Sequence, residues 1–275
     1  MSVAESNPPV LAEANDAQNI RIHIDKATKI YQTKTGQTHA LDNFTTDIHD
    51  NEFVCVVGPS GCGKTTLLWA MSGLHPLTSG TILLDETPIT GPRPEIGMIF
   101  QEANMLPWRS IMKNVLFPFQ IKHIDPRPYQ DRIDHLLEVT GLKGFENKYP
   151  RELSGGMQQR ASLVRCLAQD PSVILMDEPF GALDAFTRDE MNLLLLDLWS
   201  ERKKTICFVT HSIPEALFMA DRILIMTPRP GRLAREFIVD LPRPRDVDMQ
   251  TSPYFIESMK EIKSIIRAGD SKKDQ

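Results

Sequence analysis

Five consecutive apolar residues, Phe53-Val54-Cys55-Val56-Val57, run directly into Gly58-Pro59-Ser60-Gly61-Cys62-Gly63-Lys64-Thr65-Thr66. A run with no polar alternation fits a strand covered on both faces, and such strands belong to parallel sheets flanked by helices. Val173-Ile174-Leu175-Met176, Ile206-Cys207-Phe208-Val209 and Ile223-Leu224-Ile225-Met226 repeat the pattern, with helix-like stretches at 64–72, 157–168, 187–202 and 213–219 between them. Strands alternating with helices imply an α/β core. Upstream, Ile20, Ile22 and Ile24 alternate with Arg21, His23 and Asp25, a half-buried strand. A loop rich in Thr, Lys and Gly at 33–38 predicts a hairpin closing onto residues 40–48.

Between about 102 and 150 the strand-like runs stop, and 111–121 and 129–140 read as helices. An inserted helical subdomain over about 102–156 follows. Pro228-Arg229-Pro230-Gly231 reads as a turn between two late strands. Residues 1–19 read as a disordered tail, 20–245 as the main domain, and 246–275 as a C-terminal helix with a charged tail.

The net charge of −5 over 275 residues argues against a nucleic-acid binder, which would usually show a basic face. The polar residues 1–19 lack the apolar core of a signal peptide. No apolar run approaches the roughly 20 residues that span a bilayer, so a membrane role would run through a partner. Cys55, Cys62, Cys166 and Cys207 show no metal-type spacing and read as reduced cysteines of a cytosolic chain.

Residues 58–66 match G-x-x-x-x-G-K-[ST], placed after a buried strand and before a helix, as a phosphate-binding loop requires. Its glycines let backbone N–H groups turn toward phosphate oxygens, and the helix start adds partial positive charge. All nine residues are therefore candidates for nucleotide contact, with Lys64 reaching the β- and γ-phosphates and the Thr65 hydroxyl on Mg²⁺. The run at 173–176 ends in Asp177-Glu178-Pro179. A carboxylate there lies beside the phosphate loop if the two strands are neighbours. Asp177 is read as holding Mg²⁺, and Glu178 as polarising the attacking water.

Leu153-Ser154-Gly155-Gly156-Met157-Gln158-Gln159-Arg160 resembles the signature motif of the ABC ATPases, with Met157 where the commonest form has Gln. Ser154, Gly155 and Gly156 open a helix at Met157 and offer a hydroxyl, bare N–H groups and a dipole end, the parts of an anion site. The resemblance covers about 20–240. It implies a P-loop NTPase core of ABC type, α/β, with an N-terminal antiparallel β subdomain and an inserted helical subdomain. It also implies that Ser154, Gly155 and Gly156 complete the ATP site of a second copy of the chain. Further roles follow from it: Tyr31 stacking on adenine, Gln101 as the glutamine near Mg²⁺ and water, and His211 as the histidine contacting the γ-phosphate. Gly181-Ala182-Leu183-Asp184 resembles the loop that crosses the dimer interface, which places Asp184 beside nucleotide.

Residues 101–109, 179–188 and the turn at 228–231 look like those of importers for nitrate, taurine and aliphatic sulfonates. The likeness implies an ATP-hydrolysing subunit, peripheral on the cytoplasmic face of a bacterial inner membrane. Its partners would be a second copy, integral permease subunits and, indirectly, a solute-binding protein; the cargo would be small and often anionic. Glu102-Ala103-Asn104-Met105-Leu106-Pro107-Trp108 either lines a groove for a permease helix or is buried in the helical subdomain. The competing reading is a soluble ABC ATPase not coupled to transport. Such proteins usually carry long coiled coils or tandem ATPase units, and this chain has one set of motifs and no heptads.

Overall fold

The computed structural model describes residues 19–33 and 36–270. The tail expected at 1–19 lies outside these residues except for Asn19, and so does the chain end at 271–275. A long hairpin comes first, β1 (Ile20–Thr33) and β2 (Gly36–His49), paired antiparallel. Next are β3 (Phe53–Val57), α1 (Lys64–Met71), β4 (Ser79–Leu84), β5 (Thr87–Pro88) and β6 (Ile96–Ile99). Short helices α2 (Ile111–Val115), α3 (Phe117–Ile121) and α4 (Gln130–Val139) then lead to α5 (Gly155–Leu167). The core resumes with β7 (Val173–Asp177), α6 (Ala185–Glu201), β8 (Thr205–Val209), α7 (Ile213–Met219) and β9 (Arg222–Met226). The described chain closes with β10 (Leu233–Ile238) and α8 (Pro253–Asp270).

Six strands form one sheet in the order β10-β9-β3-β8-β7-β6, and four form a second in the order β2-β1-β4-β5. In the larger sheet only β10 runs antiparallel to its neighbour. The unbroken apolar runs now have a physical reason. Phe53, Cys55, Val57, Ile174, Met176, Ile206 and Phe208 face one core, shared with the helices of the α2–α8 side. Val54, Val56, Val173, Leu175, Cys207 and Val209 face a second core, shared with α1 and with Ile22, Ile24, Leu41 and Phe44 of the antiparallel sheet. Successive residues point to opposite faces, and each face is covered.

Two sequence expectations change. The helix expected at 111–121 is two, α2 and α3, because Pro118 has no N–H to continue the α2 ladder and instead sits in the opening turn of α3. Strands β4 and β5 had no sequence counterpart. Gly80 breaks the apolar pattern of β4, yet it is required there: at φ +82°, a Cβ would stand 2.2 Å from the Lys26 carbonyl oxygen. The C-terminal helix α8 has 18 residues and buries Phe255 and Ile262 against the core.

Arg222 fastens the two sheets. Its Nε donates to Glu52 Oε1 at 2.7 Å, its Nη1 to Glu236 Oε2 at 2.7 Å, and its Nη2 to the Asp47 carbonyl at 2.6 Å. Burial alone would lower the guanidinium's pKa, but Glu52 and Glu236 more than reverse this. We predict that Arg222→Met, which strands the Glu52 carboxylate, costs about 3–5 kcal/mol in urea unfolding. A loss under about 1 kcal/mol would show that the cluster behaves as an exposed pair.

Candidate functional site

Strand β3 delivers the phosphate loop to one end of the parallel sheet. Gly61 and Gly63 take φ +72° and +110°, and a Cβ on Gly63 would meet the Ala40 carbonyl oxygen at 2.6 Å. The loop therefore lies against β2 with no room for a side chain. Lys64 opens α1 and is 6% exposed, and its Nζ donates to the carbonyls of Gly58 at 3.0 Å and Pro59 at 3.2 Å. Both acceptors are neutral, and an ammonium buried among neutral acceptors favours an anion within reach. The opening N–H groups of α1 add to that field.

Ser60, Gly61, Gly63, Lys64, Thr65 and Thr66 line an open cleft together with Tyr31, Thr38, Ala40, Glu178 and Arg229. Tyr31 comes from β1, and its hydroxyl shares a 3.2 Å hydrogen bond with His75 Nδ1. Gly58, Pro59 and Cys62 stay behind the cleft. The Cys62 N–H bonds to the Pro59 carbonyl at 3.2 Å, and burial pushes its thiol pKa up. Within the loop, Cys62 thus acts as a brace. Thr38, Ala40 and Arg229 are additions. No local pattern marks them, because the long hairpin and a turn far along the chain bring them in.

Asp177 ends β7, and the Thr65 hydroxyl donates to its Oδ1 at 3.0 Å. Strands β3 and β7 are not neighbours, since β8 lies between them. The contact forms because α1 packs across both β8 and β7. Burial pushes the Asp177 carboxyl above the ordinary range; Thr65 and Lys64 oppose this and Glu178 adds to it. A buried carboxylate beside a hydroxyl, with no cation bonded to it among the described residues, fits Mg²⁺, which takes few protein oxygens and completes its shell with phosphate and water. Among the described residues no cluster of three or more His, Cys, Asp or Glu could hold a metal unaided.

Glu178 follows at φ 46°, a left-handed conformation that costs a non-glycine residue about 1–2 kcal/mol. Its N–H bonds to the Val209 carbonyl at 2.9 Å, and its Oε2 lies 2.9 Å from Nδ1 of His211, just past β8. The bend points the carboxylate into the cleft. Gln101, just past β6, stands at the edge: its Nε2 would be 3.6 Å from a Cβ on Gly181, in the turn after Glu178.

The signature segment lies elsewhere. Ser154 caps α5, accepting from the Met157 N–H at 3.3 Å, so the helix starts at Gly155, two residues earlier than expected. Asp184 caps α6, accepting from the Thr187 N–H at 3.1 Å and its hydroxyl at 2.7 Å, which hold its carboxyl pKa down. Neither Asp184 nor residues 154–156 line the cleft of Lys64. Within this chain Asp184 acts as a helix cap. The two helix starts adjoin each other, since a Cβ on Gly156 would lie 2.9 Å from Thr187 Cγ2. Behind its first turn, α5 holds the segment after Gln101: Gln159 Nε2 donates to the Phe100 carbonyl at 3.3 Å, and Arg165 to those of Ala103 at 2.7 Å and Asn104 at 2.9 Å. Trp108 is 71% exposed, which removes the reading that buries it.

We predict that Gly63→Ala costs about 1–3 kcal/mol of stability, because a Cβ must enter the contact with Ala40 at positive φ. Nucleotide affinity should fall with it. Thermal unfolding and a fluorescent-nucleotide titration read both quantities, and parental values in both would contradict the close approach.

The family model described as ABC transporter matches residues 41–181. The chain is 44% identical over 255 residues to an uncharacterized ABC transporter ATP-binding protein of Methanocaldococcus jannaschii, covering 92% of this chain and 93% of that protein. It is 41% identical over 254 residues to a taurine import ATP-binding protein of Rhizobium johnstonii, covering 90% and 97%. Among solved structures, a dimeric post-hydrolysis ATP-binding cassette bound to ADP and Pi matches with a TM-score of 0.70 and 31% identity, over 80% of this chain and all of that one. The chain belongs to the ABC transporter family.

Proposed function

We propose that this chain hydrolyses ATP between two copies of itself and so drives a separate permease that takes up a small, anionic solute of the taurine or sulfonate type. One observation carries the reading: two anion-seeking helix starts lie on one chain but not in one cleft. The P-loop cleft holds Lys64, Thr65 and Glu178, whereas the Ser154-capped start of α5 is exposed away from it. A second copy placed head to tail closes the first upon the second. The dimeric cassette bound to ADP and Pi supports that arrangement, and the name of the Rhizobium johnstonii relative supports the solute class.

Adenine rests on Tyr31, and the phosphates lie along the loop amides and Lys64. Bound at Thr65 and Asp177, Mg²⁺ would offset charge on the β- and γ-phosphates. Glu178 accepts a proton from the water that attacks the γ-phosphate in line, and His211 holds the Glu178 carboxylate in place. Gln101 stands where that water enters. Ser154, Gly155 and Gly156 of the second copy bind the γ-phosphate, so its loss releases the pair and creates a two-state element.

Among the described residues no helix is long and apolar enough to cross a membrane. The subunit then sits on the cytoplasmic face of the inner membrane, held by the permease, and an external binding protein supplies the solute. Exposed Trp108, beside the segment clamped by Arg165, is the docking point for a permease helix.

Glu178→Gln should keep ATP binding and form ATP-dependent dimers while turnover falls about 10²–10⁴-fold. Phosphate release and light scattering read these, and a parental rate would contradict the role of Glu178. Trp108→Cys should cross-link to the permease in the assembled transporter, since the four native cysteines are buried. Absence of any cross-link there would contradict the docking point.

A further inference from the structure

We propose that Arg229 is a nucleotide-binding residue, whose guanidinium supplies a second cation, beside Lys64, to the phosphate chain. The proposal rests on the reading of the cleft as an ATP site. Arg229 is remote in sequence from every motif of that site.

The turn between β9 and β10 is seated on the phosphate loop. A Cβ on Gly231 would lie 2.1 Å from the Cys62 carbonyl oxygen, so backbone touches backbone at that point. The Gly231 N–H donates to the Ala40 carbonyl at 2.9 Å, and the Asp42 N–H donates to the Gly231 carbonyl at 3.0 Å. Arg232 Nε donates to Asp42 Oδ2 at 2.7 Å, and Thr227 ties the turn internally, donating to the Pro230 carbonyl at 3.1 Å. A turn held this way from β2 and from within places its tip without dependence on flexible contacts.

Arg229 occupies that tip. Its Nε donates to the Gly61 carbonyl at 3.1 Å, and its Nη2 would be 3.1 Å from a Cβ on Gly61. The guanidinium thus rests on the loop that Lys64 closes and lines the same cleft. Its Nε bond uses one of five donors, and among the described residues no carboxylate pairs with it. A planar fork anchored at one nitrogen, with its other N–H groups open to a cleft, matches the geometry of phosphate oxygens. A simple brace for the loop would need only the Gly61 bond. It would not need a cation, nor a place on the cleft wall.

Titrating the full chain with ATP, ADP and AMP in Mg²⁺ buffer separates the possibilities. Arg229→Met should weaken ATP and ADP about 5- to 10-fold, the scale of one charge-assisted contact at an exposed site. AMP affinity and the unfolding temperature without nucleotide should stay at parental values, and Arg229→Lys should recover part of the loss. Equal losses for AMP, or a lowered unfolding temperature with unchanged affinities, would overturn the proposal in favour of a brace. Unchanged affinities alone would overturn it as well. The parent and Lys64→Ala report on the site itself: if the parent binds, Lys64→Ala does not and Arg229→Met matches the parent, only Arg229 is lost. A parent that binds no ATP removes the site reading and the proposal together.

Discussion

Lys64 Nζ sits between the carbonyls of Gly58 and Pro59, 6% exposed, and among the described residues no carboxylate bonds to it. That buried cation sets conditions on everything around it. The loop must curl tightly enough for two of its carbonyls to reach one ammonium, hence the positive φ of Gly61 and Gly63. It must also be backed by rigid structure, hence the press of Ala40 from one sheet and Gly231 from the turn after the other. The antiparallel sheet is accordingly part of the site. It carries Tyr31, and through Ala40 it limits what the loop can contain.

Around that centre the chain divides its chemistry between two faces. Two carboxylates and an imidazole gather at the ends of β7 and β8, where Asp177, Glu178 and His211 stand. Bare helix donors gather at the starts of α5 and α6. Helix α5 connects the faces physically, because its first turn belongs to one and its flank grips the segment after Gln101. Arg165 makes that grip unusual. Burial lowers its pKa, and it is held by the carbonyls of Ala103 and Asn104 and the Ser162 hydroxyl. That cation, met among the described residues by carbonyl and hydroxyl dipoles, ties α5, the segment after Gln101 and exposed Trp108 into one unit. In the proposed cycle, closure of the dimer on ATP therefore moves the permease docking point with it.

The parallel core was legible because its strands are buried on both faces and so are written as pure apolar runs. Helix α7 was legible to its ends. The phosphate loop and the Asp177-Glu178 pair could be picked out because local spacing marks them, whereas His211 was picked out through the family resemblance. Strands β4 and β5 were not, since Gly80 answers to a distant Lys26 carbonyl and reads locally as a break. The split between α2 and α3 follows from a single proline that residue periodicity alone passes over. Cys62 and Asp184 stand inside motifs, and each also makes a local contact, Cys62 with Pro59 in the loop and Asp184 with Thr187 at the start of α6. Residues 228–231 were legible as a turn, but the place of Arg229 on the cleft was not, because contacts with the distant Gly61 and Cys62 bring the turn there.

The central claim is that one triphosphate is held by two chains placed head to tail. Spin labels test it most directly, since all four native cysteines are buried and a label will go to an introduced surface cysteine. Gln37, near the P-loop cleft, and Arg151, near the start of α5, are both exposed. Chains bearing Gln37→Cys and chains bearing Arg151→Cys, each with Glu178→Gln, are mixed and followed with and without ATP. The account predicts an inter-chain distance from 37 to 151 that appears with ATP and is shorter than that between two labels at 37. Like positions drawn together by ATP, or no inter-chain distance at all with ATP bound, would contradict it.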